Sequence, residues 1–413
     1  LRALRGQVQR EEVYGLDPAS GQPQATPFSV MSLRYCVREW QPAADPGAPA
    51  VLLPFVLESL AYNYEQVATD PQWQQTVALE VDTYGVVTKT VSLRYPRRAQ
   101  VMALPEAAHV SDTQQDTFHV TETRIHVTHL REPDLNGAGW RLGLPVESRD
   151  SVLGQVAPPA SANRVYSYEA LTDANGPLAS ATRTLASWQQ QIYEDPWTGD
   201  PLPLAQATRE GLVCQVRTAA LSQTELRDAF ENLIPPAQLE PLLTQLEGEL
   251  VEQAGFEQDE AGDAKNYFWN PGLYAAFADL AEFYTVRAHL DPFGNWTRYE
   301  RDERTLAPTQ LTDARRNTTR IAYDPWTLLP QQITDANGTV REVSYDPLGR
   351  VHLSSLRGTE RAFTDSRADS VGFGSLADYR SSVKTVDAAL QDPAGALDNA
   401  AQAHFHADHS WMG

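Results

Sequence analysis

Long apolar runs are missing from this 413-residue sequence. None approaches the ~18 residues that a membrane-crossing helix needs, so no membrane contact is expected of this segment. Cysteine is confined to Cys36 and Cys214, far apart and each in apolar, strand-like surroundings. That count excludes a disulfide scaffold and leaves either two buried thiols or a single bridge. Cationic residues are scarce: 33 Lys and Arg stand against 54 Asp and Glu, a net charge of −21. No basic footprint for nucleic acid exists in such a chain. The acidic balance fits a self-repelling solvated surface, or a wall facing a cationic guest. Gly-x-Ser-x-Gly, a Cys beside a base, Gly-x-x-x-x-Gly-Lys and an EF-hand loop are all missing. No nucleophile, phosphate cradle, calcium loop or cofactor is therefore expected.

What the sequence does contain is a repeat. Asp291, Asp313 and Asp335 are each 22 residues apart (313−291 and 335−313). They open Asp291-Pro-Phe-Gly294-Asn295, Asp313-Ala-Arg-Arg316-Asn317 and Asp335-Ala-Asn-Gly338. Aspartate at the first position of a tight turn bonds the backbone two residues on, and Gly supplies the left-handed φ. Arg316 stands where the pattern asks for Gly. Between turns the chain alternates, so Ile321 and Tyr323, and Val343 and Tyr345, fall on one strand face. Return turns follow at Asp324-Pro and Asp346-Pro-Leu-Gly349. Each unit is expected to hold two strands of about seven residues and to bury its apolar face only beside its neighbours.

At these residues a family resemblance appears. Tyr345-Asp346-Pro-Leu-Gly349-Arg350-Val351 resembles the tyrosine–aspartate (YD, or Rhs) repeat. Leu4–Asp17, Pro27-Phe-Ser-Val30, Glu58–Glu65 and Leu79–Val87 resemble the B component of bacterial insecticidal toxin complexes, in its middle-to-C-terminal region. Trp269-Asn-Pro-Gly272, Val371-Gly-Phe-Gly374 and Ala377-Asp-Tyr-Arg380 continue the likeness, in order, along nearly the whole chain. The resemblance implies a mainly β fold: an antiparallel repeat sheet winding into part of a hollow β-cocoon shell. It implies a secreted, non-catalytic wall that encloses an unfolded toxic effector. The implied partners are a C component, which completes the shell and supplies the effector, and a channel-forming A component reached through a region outside this chain. No catalytic residue is carried over.

Four regions are expected: 1–150 as toxin-complex β structure, 151–283 as strands with an inserted helical hairpin, 284–386 as repeats, and 387–413 as a connection into a further strand. Strands are expected at 29–40, 76–95, 118–130, 165–171 and 179–193. Ser222 with Glu225 forms a capping box, Pro235-Pro236 stops the first helix, and Leu239, Leu242, Leu243, Leu246 and Leu250 mark a second. Leu1 and Trp411-Met-Gly413 fall in mid-pattern, as in a piece of a longer chain.

His404, His406, Asp408 and His409 spell the His-x-His-x-Asp-His pattern of zinc hydrolases, but no apolar strand precedes it. His126 and His129 fall three apart, on opposite strand faces. Asp195 with Asp200, or Asp263 beside Glu257–Glu260, could imitate a glycosidase pair; Asp-Pro turn chemistry accounts for such residues equally. Trp188, Trp197, Trp269, Trp296 and Trp326 could stack on sugars or pack at sheet edges. A zinc hydrolase, a glycan-binding adhesion module and the shell of a contact-dependent toxin are the alternatives to the encapsulating wall.

Overall fold

The computed structural model describes residues 2–45, 47–64, 68, 71–97, 117–131, 139–160, 165–304, 306–361 and 368–406, with backbone alone at 359–361 and 368–370. The chain is mainly antiparallel β with small helices and divides into two compact units. One is Leu1–Asp195 with Asp200–Gly272; the other is Pro196–Gly199 with Leu273–Gly413.

The first unit is built on an 11-stranded sheet. Its strands are β1 (Arg10–Val13), β2 (Ser29–Gln41), β3 (Val51–Asn63), β4 (Gln72–Val81), β5 (Val87–Arg94), β6 (His119–Leu130), β7 (Arg141–Gly154), β8 (Thr182–Tyr193), β9 (Val213–Ser222), β10 (Glu257–Gln258) and β11 (Tyr267–Asn270). They lie in chain order except that β11 pairs β9 and carries β10 outside it. Alternation decides what is buried. Trp73, Gln75 and Val77 of β4, Val91 and Leu93 of β5 and Val120 of β6 face one core.

The segment expected as a strand at 165–171 is a short helix, α1 (Tyr168–Thr172). Ser167 caps it, its Oγ accepting from the Ala170 N–H at 3.1 Å. Leu171, Leu178 and Ala181 close the core from above. Buried Gln75 fixes this lid: its Nε2 donates to Glu58 at 2.6 Å and to the Tyr166 carbonyl at 2.7 Å, and its Oε1 accepts from Tyr95. A buried amide with all these bonds made specifies one docking geometry.

The expected helical hairpin is present as α2 (Gln223–Phe230) and α3 (Pro236–Glu252). Its capping box is complete: Glu225 N–H donates to Ser222 Oγ at 3.0 Å and Ser222 N–H to Glu225 Oε2 at 2.7 Å. Leu226, Leu239 and Leu243 pack on Phe268 of β11. Beside it, Trp188 and Trp269 meet edge to face at 4.9 Å between centroids, with the guanidiniums of Arg149 and Arg217 over them at 3.6 and 4.7 Å. Cys36 and Cys214 are both free thiols, and burial pushes that of Cys214 up to about 12.

The second unit holds a 10-stranded meander: β12 (Tyr274–Phe277), β13 (Val286–Leu290), β14 (Trp296–Arg301), β15 (Pro308–Thr312), β16 (Thr318–Tyr323), β17 (Pro330–Thr334), β18 (Val340–Tyr345), β19 (Val351–Arg361), β20 (Ala368–Gly372) and β21 (Gln402–Ala403). The repeat strands run five and six residues rather than about seven, because the turns claim more of each unit. Two short helices, α4 (Val386–Gln391) and α5 (Pro393–Leu397), precede β21, which pairs β19. None of the described helices is long and apolar enough to cross a membrane.

Burial predicts a contrast within the hairpin. Leu243 is 4% exposed and Leu233 75% exposed. Leu243→Ala is expected to lower unfolding free energy by about 2–5 kcal/mol, and Leu233→Ala by less than about 0.5 kcal/mol. Urea titrations of both variants check this.

Candidate functional site: the aspartate turns and tyrosine straps of the repeat sheet

From Asp291 to Asp346 each turn of the repeat sheet is closed by its own aspartate. At Asp335 the Oδ1 atom accepts the N–H groups of Asn337 and Thr339, both at 2.9 Å. The main chain closes around it, with Gly338 N–H donating to Asp335 O and Asp335 N–H to Thr339 O, each at 3.0 Å. Asp291 takes Phe293 and Asn295 at 2.9 and 2.8 Å, and Asp313 takes Arg315 and Asn317 at 2.9 and 2.8 Å. Asp346 takes Leu348 and Arg350, both at 2.9 Å. In the first unit Asp82 takes Tyr84 and Val86 at 2.8 and 2.9 Å. The fourth residue is always left-handed: Gly85, Gly294, Gly338 and Gly349, but Arg316 at φ +67°.

A longer turn uses the same device. Asp324 Oδ1 accepts from Trp326 N–H, Thr327 N–H and the Thr327 hydroxyl at 3.0, 2.7 and 3.0 Å. Asp17 does the same with Ala19 and Ser20. In the Asp195 turn the N–H of Asp195 donates to Asp200 O at 2.9 Å. The left-handed residue is now the fifth: Gly21, Gly199, and Leu328 at φ +57°. Asp302 closes the remaining turn through the N–H groups of Leu306 and Ala307 at 2.7 and 2.9 Å. Asp302 escaped the sequence reading, although the signal was present. The aspartates at 291, 302, 313, 324, 335 and 346 are 11 residues apart, so the 22-residue period is two half-units.

A second regular contact lies at the other end of the strands. Tyr323 Oη donates to the Pro308 carbonyl at 2.9 Å and Tyr345 Oη to the Pro330 carbonyl at 2.8 Å. Each reaches 15 residues back, to the first residue of the preceding strand. In the first repeat Arg301 does this instead, donating to Val286 O at 3.2 Å. Tyr193 straps Pro145 likewise in the first unit, at 2.6 Å. A register shift precedes Arg301, Tyr323 and Tyr345 alike, so bulge and strap recur together. Periodicity alone placed these tyrosines on a face; their hydroxyl bonds carry no sequence signal beyond Tyr-Asp itself. Ile321 pairs Ile333 across the sheet, and Val343 lies in the same alternation, opposite Ser354.

The carboxyls of Asp17, Asp82, Asp291, Asp302, Asp313, Asp324, Asp335 and Asp346 lie below the usual aspartate range. The chief causes are the N–H of Asn295 at Asp291, the side-chain amide of Asn317 at Asp313, and the N–H of Thr339 at Asp335. Ala307 N–H acts first on Asp302, and Thr327 N–H on Asp324. At Asp82 and Asp346 burial opposes the shift, and the N–H groups of Val86 and Arg350, with His129 and the Arg350 side chain, outweigh it.

The rival sites do not assemble. Among the described residues no three of His, Cys, Asp and Glu come together as metal ligands. His404 and His406 continue β21, where His404 N–H donates to His352 O at 2.8 Å; Asp408 and His409 lie outside the described residues. His129 serves a turn, its Nε2 lying 2.8 Å from Asp82 Oδ2 while its Nδ1 accepts from Gly143 N–H at 3.1 Å. Asp259 and Asp263 face Arg217 and Arg149 at 2.8 and 3.8 Å. Trp188 and Trp269 are core residues, Trp296 lies beside Arg298, and Trp197 and Trp326 stand exposed on turns.

Two predictions follow from the turn geometry. A Cβ at Gly338 meets nothing within 4 Å, so only backbone strain opposes it. Gly338→Ala is expected to cost about 1 kcal/mol, and Arg316→Gly to stabilise by a similar amount, in urea unfolding. A carboxyl lowered on folding contributes stability that is fully present above its ordinary value and is lost as pH falls from that value through the lowered one. Asp335→Asn keeps an accepting oxygen but no titration. It should lower the unfolding midpoint at pH 7 by less than Asp335→Ala does, and lose less than the parent between pH 5 and 2.5.

Comparison with known proteins accords with this construction. Residues 1–144 match the family described as insecticide toxin TcdB, middle/C-terminal region. A search of curated proteins gives no match. Among solved structures, a chain of the TcdB2-TccC3 crystal structure matches with 28% identity and a TM-score of 0.72, over 100% of this chain and 19% of its own length. A TcdB2-TccC3-Cdc42 structure matches at 28% identity and 0.70, over 94% of this chain and 18% of the other. The Photorhabdus luminescens Tc holotoxin pore with a TccC3-D651A mutation matches at 28% and 0.69, again over 94% and 18%. The chain thus spans about a fifth of the length of the chains it matches. Its first 144 residues match the insecticide toxin TcdB middle/C-terminal family, and along its whole length the chain is similar to part of the TcdB2-TccC3 crystal structure.

Proposed function

We propose that this chain is a stretch of wall in a secreted toxin-complex shell, closed with a C component around an unfolded effector for delivery through a channel-forming A component. The observation that carries the proposal is the repeat sheet itself. Strands β13–β19 are joined by local turns and straps, and the repeat strands β13–β17 pack chiefly on their sheet neighbours. Such a sheet extends as a surface rather than closing on a compact core. Its repeat aspartates, the residues most open to a catalytic reading, are committed to backbone N–H groups, which supports a structural role for them. Similarity to TcdB2-TccC3 and to a Tc holotoxin pore supports both partners. One matched structure is described as lacking a hypervariable C-terminal region; a guest of that kind is what the shell would hold. The unpaired outer edges of β1 and β10 are then where further wall continues, since an open edge invites pairing.

Co-expression of the full-length parent with the protein encoded beside it, followed by electron microscopy and trypsin digestion, tests the reading. A closed hollow particle, with effector density inside and an effector that resists trypsin until the shell is unfolded, is expected. A solid particle without the second chain, or an effector digested as fast as when free, would overturn it.

A further inference from the structure

On β4, β5 and β6 the buried Trp73, Leu93 and Val120 alternate with Gln74, Arg94 and His119, which lie on the sheet face turned away from the core. Register sets these three side by side, Arg94 opposite Gln74 on one flank and His119 on the other. The next row along the same face is Ser92 opposite Thr121. Short hydroxyl side chains beside long ones leave a hollow, and Arg97, just past the end of β5, flanks it. The cleft measures about 710 Å³. In a chain of net charge −21, its lining holds two arginines and a histidine and, among the described residues, no carboxylate. Elsewhere in this unit Arg34, Arg124, Arg149, Arg183 and Arg217 each lie beside a carboxylate. Among the described residues Arg94 has no such neighbour.

A concave site of that volume suits a small molecule. A guanidinium fork fits the oxygens of a phosphate or a carboxylate. Two such cations, with the hydroxyls of Ser92 and Thr121 and the Gln74 amide as further donors, exceed what one carboxylate needs. They match a phosphate monoester, which carries about −1.5 to −2 charge at neutral pH and three strongly accepting oxygens. We propose that the cleft holds the phosphate group of a small phosphorylated molecule. Arg94 and Arg97 balance its charge, Ser92 and Thr121 donate to its oxygens, and the remaining volume admits the polar body that the phosphate is attached to. The donors are side chains gathered by register from three strands, so no Gly-rich phosphate motif announces them in the sequence. Every one of them belongs to the first unit, and binding here is independent of the enclosing role proposed above.

Calorimetric titration of the full-length parent with inorganic phosphate, and separately with citrate, provides the test. Phosphate is expected to bind at a single site with Kd on the order of 1 mM or below. Arg94→Gln should weaken it by about tenfold or more, because a charge-assisted bond is lost. Arg320→Gln removes the same charge from an exposed position of the repeat sheet, and should leave binding within about twofold. Should Arg94→Gln fail to fold, Thr121→Val, which deletes one hydroxyl donor at an exposed position, is expected to weaken phosphate by about threefold. No phosphate binding by the parent, or an equal loss in Arg94→Gln and Arg320→Gln, would overturn the site. Citrate binding more tightly than phosphate, and through Arg94, would overturn the phosphate assignment in favour of a carboxylate ligand.

Discussion

A carboxylate oxygen that accepts two backbone N–H groups of its own turn is the contact on which the repeat sheet depends. A chain reversal leaves several peptide groups without ladder partners, and at an exposed edge they would bond to water and fray. Here Oδ1 of Asp291, Asp313, Asp335 and Asp346 takes the N–H groups two and four residues on. The turn is therefore fixed by contacts internal to five residues. Each hairpin carries its own register signal in its turn. That is how a sheet in one layer keeps a defined geometry.

The straps extend this local logic by one strand. Where Tyr323 and Tyr345 reach back to the carbonyls of Pro308 and Pro330, a bulge has re-aimed the strand end. Proline at the strand start has no N–H to offer the ladder, and its carbonyl takes the phenol instead. Turn and strap together account for the Tyr-Asp pair: the tyrosine ties its strand to the one before, and the aspartate closes the turn to the one after. Because both devices bond to backbone, the strand side chains remain free to differ between faces.

Much of this was legible from sequence, and the misses have identifiable causes. The turns were readable because Asp-x-x-Gly imposes its own geometry, and Arg316 was legible as the irregular position because Gly is the usual left-handed residue there. The hairpin α2–α3 was readable from Ser222, Glu225 and the leucine spacing, all local signals. The segment at 165–171 resembles a strand in sequence because its apolar alternation is short. Its helix is set by the Ser167 cap and by packing over β4 and β5, which are remote in sequence. Asp302 was hidden because its loop carries neither Gly nor Pro, and the tyrosine straps because a bond 15 residues back has no periodic trace.

Amide hydrogen exchange on the repeat unit would test most directly whether the turns carry the sheet. The N–H groups of Asn295, Asn317, Thr339 and Arg350 sit on exposed reversals yet each donates to an aspartate. Protection matching the amides of β16 and β17, with the tip amides of Ala314 and Ala336 exchanging freely, is the predicted result. Exchange of all of these at the rate of an open loop would contradict it, and the register would then have to be imposed from elsewhere.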